Sequence, residues 1–382
     1  MTEFMNKLRK IKWKHFVNYI AVGIVAIIFS AMTLGGALPQ SSLYLLEKIT
    51  MNIILAVSLS LVVGFLGELS LGHAGFMCIG AYMGGKAACL FGDMGESIIA
   101  FIVALIVGAA IAGAFGFIIG LPALRLKGDY LAIVTLAFGE IVKTVFENTS
   151  EESFGGPIGL RTPRFDKQYL FIIGFVLVLV TLFVIQNLIR SKHGRAITAI
   201  RDNEIAARAT GINVTKYKLI GFIISSAFAG VAGVFYSFAN STVKASVFDY
   251  NFSIEILIMV VIGGMGNISG TIVSATLITY INTQLQTILT GDMAVLKDIL
   301  YALILVLIVI YNNAPIFKNF REKYNVKALF VKLFRIKKSA AYDKDDEGAW
   351  HRVPTKISMD EILSTDIKVV ESTREPDKED RS

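Results

Sequence analysis

The chain has 382 residues, of which 54% are hydrophobic and only 18% are charged, and its mean hydropathy is +0.62. A soluble domain carries about 25% charged residues, so this composition excludes a soluble globular protein and predicts an integral membrane protein. The formal net charge of +7 does not indicate nucleic-acid binding, because excess basic residues in a membrane protein mark its cytoplasmic flanks.

The amino-terminal segment 1–15 is basic and precedes an apolar run from Phe16 to Leu34. The run is long enough to cross the roughly 30 Å hydrocarbon core of a bilayer. A cleaved signal peptide is the alternative, but its apolar region usually has about 7–15 residues, which favours a retained first span.

Further apolar stretches follow, and the sequence predicts an all-α, polytopic transmembrane protein of about ten passages, within a range of eight to ten. After the first run, the stretches are approximately 49–67, 73–92, 97–120, 130–146, 169–190, 218–240, 254–266, 268–290 and 298–313. Stretches 73–92, 130–146 and 254–266 are short or broken by glycine or charge, which predicts interrupted helices.

Basic flanks predict the orientation of these passages. Ten passages that start inside place segment 1–15, Arg125 with Lys127, segment 190–218 and segment 318–338 on the cytoplasmic side. The acidic loop with Glu147, Glu151 and Glu152 then lies outside. We therefore expect cytoplasmic termini.

The charge pattern also divides the chain. The membrane domain is expected over 16–315, followed by a basic juxtamembrane segment over 316–340. The tail 341–382 has 7 basic and 12 acidic residues and no sustained apolar period, which predicts a mostly disordered acidic cytoplasmic extension.

Two glycine-rich stretches, 64–75 and 263–270, predict helix breaks at membrane depth. Such breaks are tolerated beside protein or a water-filled cavity and often border a transporter's substrate path. Close packing of small residues is the alternative explanation. The candidate path residues, taken from these breaks and from ionisable residues in apolar stretches, are Glu68, Ser70, Gly72, His73, Glu140, Glu255, Gly264 and Asn267.

The ionisable residues in apolar stretches also have simpler explanations. A charge at the bilayer centre costs about 2.5–3.5 kcal/mol, so such residues tend to face protein or water. Glu140 and Lys143 are three residues apart and are expected to pair on one helix face. Capping or interfacial exposure is the alternative for Glu68, His73 and Glu255.

The sequence offers no metal site, no catalytic triad and no nucleotide site. Cys78 and Cys89 lack metal-ligand spacing. The segment 80–87 resembles a phosphate-binding loop but ends in alanine, so it lacks the hydroxyl that holds magnesium. The chain is therefore predicted not to be an enzyme and to hold no cofactor or metal of its own.

The hydrophilic segment 191–217 predicts a short helix over 203–210. Asp202 is a suitable N-cap, Glu204 adds negative charge to the first turn, and Gly211 suits the left-handed residue that ends a helix. A helix this short is marginal in water and needs a docking surface. That surface is either the protein's own spans or a cytoplasmic ATPase, and the residues alone leave both open.

Several blocks give the chain a resemblance to a known family. They are Gly194 to Ala207 with Gly211 to Val214, the run 217–233, Leu69 to Phe76 with Gly80 to Tyr82, Arg125 to Leu136, Gly155 to Leu160, and Ser253 to Gly266. In this order they resemble permease subunits of branched-chain amino acid ABC importers (LivM type). The resemblance covers roughly residues 40–315, and the family's usual leading glutamate of the coupling loop is Ile205 here.

The resemblance implies an importer with two permease subunits, two ABC ATPases that bind ATP and magnesium, and an extracellular substrate-binding protein. This chain would be one permease in the plasma or inner membrane of a prokaryote. It would pass leucine, isoleucine or valine and contact an ATPase through segment 191–217. The residues implied in that coupling loop are Gly194, Arg195, Arg201, Asp202, Glu204, Ala206, Ala207, Arg208 and Gly211.

Other functions stay open from the sequence. A permease for urea or short amides fits the same family pattern. A stand-alone, ion-coupled secondary transporter would need a coupling-ion site, for which Glu68, Glu140 and Glu255 are candidates, and a passive channel is a third possibility.

Overall fold

The computed structural model describes residues 17–35, 39–92, 95, 97–126, 128–165 and 167–288, together with Leu303 and Val306. These residues are largely helical, which confirms the all-α fold. The basic segment 1–15, the juxtamembrane segment 316–340, the tail 341–382 and all of the predicted passage 298–313 except Leu303 and Val306 lie outside the described residues.

The described helices are numbered in chain order. They are α1 (Val17–Leu34), α2 (Gln40–Ser60, continued by a π-helical segment Leu61–Leu66), α3 (His73–Cys89), α4 (Ile98–Ala123), α5 (Asp129–Glu147), α6 (Glu151–Phe154), α7 (Lys167–Arg190), α8 (Lys192–Asp202), α9 (Glu204–Ala209), α10 (Val214–Ala239), α11 (Tyr250–Gly263) and α12 (Ile268–Ile288). Two short strands, β1 (Leu160–Arg161) and β2 (Thr242–Val243), pair antiparallel with Leu160 opposite Val243.

Each of the first nine predicted passages coincides with a helix. Among the described residues, four helical segments are long and apolar enough to cross a membrane, namely Gln40–Leu66, Ile98–Ala123, Tyr169–Arg190 and Val214–Ala239. The passage expected at 49–67 starts earlier than the apolar pattern indicated, at Gln40. The hydropathy pattern did not predict the start of this helix, residues 40–48, because Glu47 and Lys48 interrupt the apolar run. Glu47 is nevertheless buried.

The long helices alternate in direction along the chain, although some spatial neighbours, such as α3 and α10, run parallel. The bundle therefore has two ends. The end that holds segment 191–213 is called the loop end, and the end that holds β1 and β2 is called the strand end. Gly120, near the end of α4, lies against Leu219 and Phe222 at the start of α10, which places the following Arg125 at the loop end. Glu147 ends α5 at the strand end, as the basic and acidic flanks predicted.

The core of the bundle is the crossing of α3, α4 and α10, where glycines let the backbones approach closely. A Cβ atom on Gly230 would lie 2.6 Å from the Cβ of Ala112, and one on Gly233 would overlap the carbonyl oxygen of Met77. Phe101, Phe235 and other fully buried rings fill the space around these contacts. Shape complementarity of small residues therefore fixes the spacing of these three helices.

Gly233→Leu is expected to prevent normal packing of α3 against α10, because the added side chain overlaps backbone atoms that have no room to move. Overpacking a core typically costs about 1–3 kcal/mol, and a backbone clash belongs at or above the upper end. The thermal unfolding midpoint in detergent should fall clearly.

Gly23→Leu on α1 is the matched control, since a Cβ there meets nothing within 4 Å. Wild-type thermal stability of Gly233→Leu would contradict the packing described for this crossing.

Candidate functional site

The segment 191–213 forms two helices, where the sequence predicted one. Ser191 caps α8 by accepting hydrogen bonds from the backbone N–H groups of His193 and Gly194. The prediction that Asp202 caps the second helix is wrong, because Asp202 is the last residue of α8 and Asn203 is the cap, accepting from the N–H of Ala206. The predicted helix 203–210 is thus α9, Glu204–Ala209.

Gly211 ends α9 in the left-handed conformation that the sequence predicted, with φ of 85°. The N–H of Ile212 donates to the carbonyl of Ala207 at 3.1 Å, which closes the turn beyond the helix end. A Cβ at Gly211 would meet nothing within 4 Å, so its backbone angle alone demands glycine.

A small hydrophobic cluster attaches the loop to the bundle. It joins Ile197 and Ile200 of α8 and Ala207 of α9 to Leu66 of α2 and Val214 of α10. Gly194 is buried where α7 meets α8, and a Cβ there would overlap the backbone of Ile189. The inner face of the loop is therefore packed against the ends of two membrane helices.

The outer face of α9 has no partner of its own within the described part of the chain. Ile205 is 81% exposed, and Ala206, Arg208 and Ala209 are exposed as well. Arg195 is exposed on the neighbouring α8. An exposed isoleucine flanked by small residues and a cation is suited to insertion into a groove of another protein.

Arg201 joins this loop to both glycine breaks. Its guanidinium donates to the carbonyl oxygen of Gly64 at 2.8 Å, at the end of the π-helical segment. A Cβ on Gly67 would lie 2.7 Å from Cγ of Arg201, and one on Gly266 would lie 3.1 Å from its Nη1. The two breaks also touch, because a Cβ on Gly64 would be 2.6 Å from the amide nitrogen of Gly266.

A second link is a charged cluster at the same end. Lys218, with its side chain only 5% exposed, donates to the carboxylate of Glu68 and, at 3.1 Å, to that of Glu204. Glu204 also accepts from Arg208 at 2.9 Å. The cluster ties the connection after α2 to the starts of α9 and α10. Lys218 appeared in the sequence only as a basic loop residue, and no local pattern identified its partners.

The remaining candidates of the first break lie deeper in the bundle. Gly72 packs against α5, where a Cβ would be 2.6 Å from the carbonyl oxygen of Thr135. His73 is buried, and its Nε2 lies 2.8 Å from Oγ of Ser58. Ser70, two residues before Gly72, is buried as well. Gly72 and His73 hold the start of α3 against α5 and α2.

The candidates of the second break form a turn between antiparallel helices. Gly264 has φ of 89°, and Asn267 accepts from the N–H of Gly270 at 3.3 Å as α12 begins. Ser274 of α12 donates to the carbonyl of Met259 in α11, which confirms that the two helices form a hairpin. The break therefore ends α11, as predicted, and turns the chain back.

Glu140 lies on α5, where the preceding Gly139 packs against Gly75 at the end of the first break. It pairs with Lys143 at 3.3 Å, which confirms the pairing that the sequence predicted. Its other oxygen accepts from the backbone N–H of Tyr250 at 2.9 Å and so helps to position the start of α11.

Glu255 lines a cavity of about 290 Å³ in the strand-end half of the bundle, between α2, α3, α10, α11 and α12. None of the other seven candidate path residues lines it. The sequence analysis did not identify the other polar residues of the cavity, although the sequence contains a signal for them. Thr279, Asn282 and Gln286 recur at helical spacing and form a polar stripe along α12.

A comparison of the sequence with known protein families identifies the family of the chain. Residues 41–309 match the family described as the permease component of branched-chain amino acid transport systems. The chain belongs to that family. The resemblance seen in the sequence is thereby confirmed.

Individual relatives agree with this assignment of the permease. The chain is 35% identical over 300 residues to the high-affinity branched-chain amino acid transport system permease protein LivM of Escherichia coli K12. This match covers 70% of the chain and 67% of the relative. A probable LivM of Methanocaldococcus jannaschii is 31% identical over 180 residues, 44% of this chain and 52% of that protein. The ribose import permease protein RbsC of Escherichia coli K12 is 27% identical over 290 residues, with 70% and 84% covered.

Lys218→Met in the permease should strip Glu68 of its counter-ion in a largely buried site. Breaking a buried ion pair from one side typically costs about 3–5 kcal/mol. We expect a marked drop of the thermal unfolding midpoint in detergent. The loss of Lys218 should cost less free energy at Glu204 than at Glu68, because Arg208 remains as a partner of Glu204.

The double variant Glu68→Gln/Lys218→Met removes both charges and should recover much of the lost stability. If the single variant Lys218→Met were as stable as the double variant, the unpaired carboxylate of Glu68 would carry no burial penalty, which would contradict the buried ion pair described here.

Proposed function

We propose that this chain is the membrane-spanning permease subunit of an ATP-driven ABC importer and forms the translocation path for leucine, isoleucine and valine. Membership of the branched-chain amino acid permease family supports the substrate class. The observation that carries the ATP-driven mechanism is the loop 191–213, whose inner face is fixed to α2 and α10 while Ile205 on its outer face is 81% exposed.

The proposed partners are two ABC ATPase subunits, a second homologous permease and an extracellular substrate-binding protein. ATP and magnesium would bind to the ATPases. We place the protein in the plasma or inner membrane of a prokaryote, with its termini and the loop end in the cytoplasm. The basic residues at the loop end and the acidic residues Glu147, Glu151 and Glu152 support this orientation.

In this proposal α9 is the coupling helix, and it seats Ile205 in a groove of an ATPase. ATP binding moves that groove, and the loop moves with it as a rigid unit, because α8 and α9 share one packed cluster. Arg201 passes the displacement to Gly64 and Gly266, and Lys218 passes it to Glu68. The helices α2, α11 and α12 then shift, and the path opens alternately to the two sides.

The rival of an ion-coupled secondary transporter fits these contacts less well. Its candidate ion-binding carboxylates were Glu68, Glu140 and Glu255. Glu68 is paired with Lys218, and Glu140 is paired with Lys143, so a cation would have to displace a lysine at either position. That rival also leaves the exposed face of α9 without a role.

The test uses two substitutions of Gly211, which needs a left-handed backbone. Valine adopts this conformation at a cost of roughly 1–2 kcal/mol, whereas asparagine adopts it readily. Gly211→Val should misplace α9 without unfolding the bundle. Leucine uptake and ATP hydrolysis stimulated by the loaded binding protein should fall roughly tenfold in reconstituted vesicles.

Gly211→Asn is the matched control and should retain most of both activities at equal membrane levels. Full uptake and full stimulation in Gly211→Val would make the loop a simple connector, and would favour a transporter that needs no ATPase.

A further inference from the structure

The cavity that contains Glu255 has the position and the size of a small-ligand site. Its volume of about 290 Å³ is near the lower bound of roughly 300 Å³ for small-molecule pockets. Asn52, at its inner end, lies roughly 18 Å along α2 from Gly64, given a helical rise of about 1.5 Å per residue. Tyr44 and Asn240 line it near the strand end, where α2 begins and α10 ends.

Among the described residues that line this cavity, one side chain is positive and one is negative. Lys48 is half-buried on α2, with its ammonium group 5.1 Å from the ring centre of Tyr44 one turn earlier. Glu255 comes from α11 on another wall. The charges of the lining therefore balance, as they do in the backbone of a free amino acid.

The carboxylate of Glu255 is held in place by a chain of amides. Asn282 donates to Glu255 at 2.8 Å and accepts from Gln286 at 3.2 Å. Both amides lie on the polar stripe of α12. Such a chain fixes the direction of a carboxylate before a ligand arrives, which lowers the free-energy cost of binding.

Asn52 provides an independent sign of a missing ligand. It is only 5% exposed, and its Nδ2 donates to the hydroxyl of Thr279 at 2.8 Å. Its Oδ1 is buried and accepts no hydrogen bond in the structure. A buried acceptor left unpaired costs about 1–3 kcal/mol, so a small rotation of Asn52 that brings this oxygen to a donor in the cavity, such as an ammonium group, is favourable.

Part of the wall is apolar. Met51, Met77 and Phe252 contribute side chains next to the polar groups, and Tyr236 adds a ring. Methionine adapts its shape to different apolar partners, which suits a site for several branched aliphatic side chains.

We propose that this cavity is a binding site for an amino-acid zwitterion, in which Glu255 and Asn52 face the ammonium group and Lys48 faces the carboxylate. The aliphatic side chain lies against Met51, Met77 and Phe252. This assignment rests on the proposed function and places a substrate site within this one chain. Urea or a short amide carries no charged group to match Lys48 and Glu255.

The test measures occupancy directly, by protection of a cysteine in the cavity wall. Thr283→Cys and, separately, Val247→Cys are placed in an importer whose chain lacks Cys78 and Cys89. The assembled complex, without nucleotide, is labelled with a small cationic methanethiosulfonate. L-leucine should slow labelling saturably at both positions. Isovalerate, which lacks the ammonium group and is one carbon shorter than leucine, and isopentylamine, which lacks the carboxylate, should not.

Substitutions in the site then separate binding from general damage. Glu255→Gln should raise the leucine concentration for half-protection about tenfold or more, because it removes the charge that faces the ammonium group. Asn52→Leu should act in the same direction. Glu147→Gln removes a carboxylate from the end of α5, outside the cavity, and should leave protection unchanged.

Several results would overturn the proposal. They are equal protection by isovalerate, protection by urea or propionamide in place of leucine, no protection by leucine, and no labelling at either position. ATP hydrolysis stimulated by loaded binding protein is measured on the same samples. If the importer whose chain lacks Cys78 and Cys89 showed no such ATP hydrolysis, the proposed function would be contradicted. The labelling experiment uses no nucleotide, so it reports on the cavity independently of ATP hydrolysis.

Discussion

The hydrogen bond from Arg201 to the carbonyl oxygen of Gly64 is the contact on which the proposed coupling depends. The last carbonyl groups of a helix lack partners within that helix, and a cation at this end also offsets the negative pole of the helix dipole. Arg201 meets both needs from α8, in a different part of the chain. Because Gly67 and Gly266 also pack against its side chain, one residue contacts the turns after α2 and after α11. A displacement of the loop therefore acts on both turns together.

The glycines make this arrangement possible for steric reasons. A side chain at Gly64 would push away the backbone of Gly266, and one at Gly67 would push away Arg201. Lys218 adds an electrostatic restraint next to this contact, since it holds Glu68 and Glu204 together in a largely buried site. At the other end of the bundle, the cavity with Glu255 lies between helices that the turns connect. The part expected to bind an ATPase and the part expected to bind substrate thus share α2, α10, α11 and α12.

Local sequence signals predicted the helices, the glycine turns and the left-handed Gly211, because apolar periodicity and glycine preference depend on near neighbours. They missed α8, whose polar surface hides a buried face of Ile197 and Ile200, and they placed the cap of α9 at Asp202 instead of Asn203. The contacts of Arg201 and Lys218 join residues 137 and 150 positions apart, and no local pattern encodes such distances. The cavity was missed for the same reason, although the polar stripe on α12 was readable. The glycine breaks were interpreted as candidate path elements, and the second break and the Gly64–Glu68 part of the first lie beside the loop 191–213.

The most direct test of this account is the amount of leucine transported per ATP hydrolysed by reconstituted importers with Arg201→Met or Arg201→Lys. Arg201→Met removes the donor to Gly64 but keeps a long side chain to pack against Gly67. Hydrogen bonds to charged groups contribute about 1.5–3 kcal/mol, so we expect roughly tenfold or greater loss of leucine transported per ATP, with the ATPases still bound. Arg201→Lys keeps one donor and should lose less. Unchanged transport per ATP in Arg201→Met would contradict the claim that Arg201 transmits motion from the loop to the membrane helices.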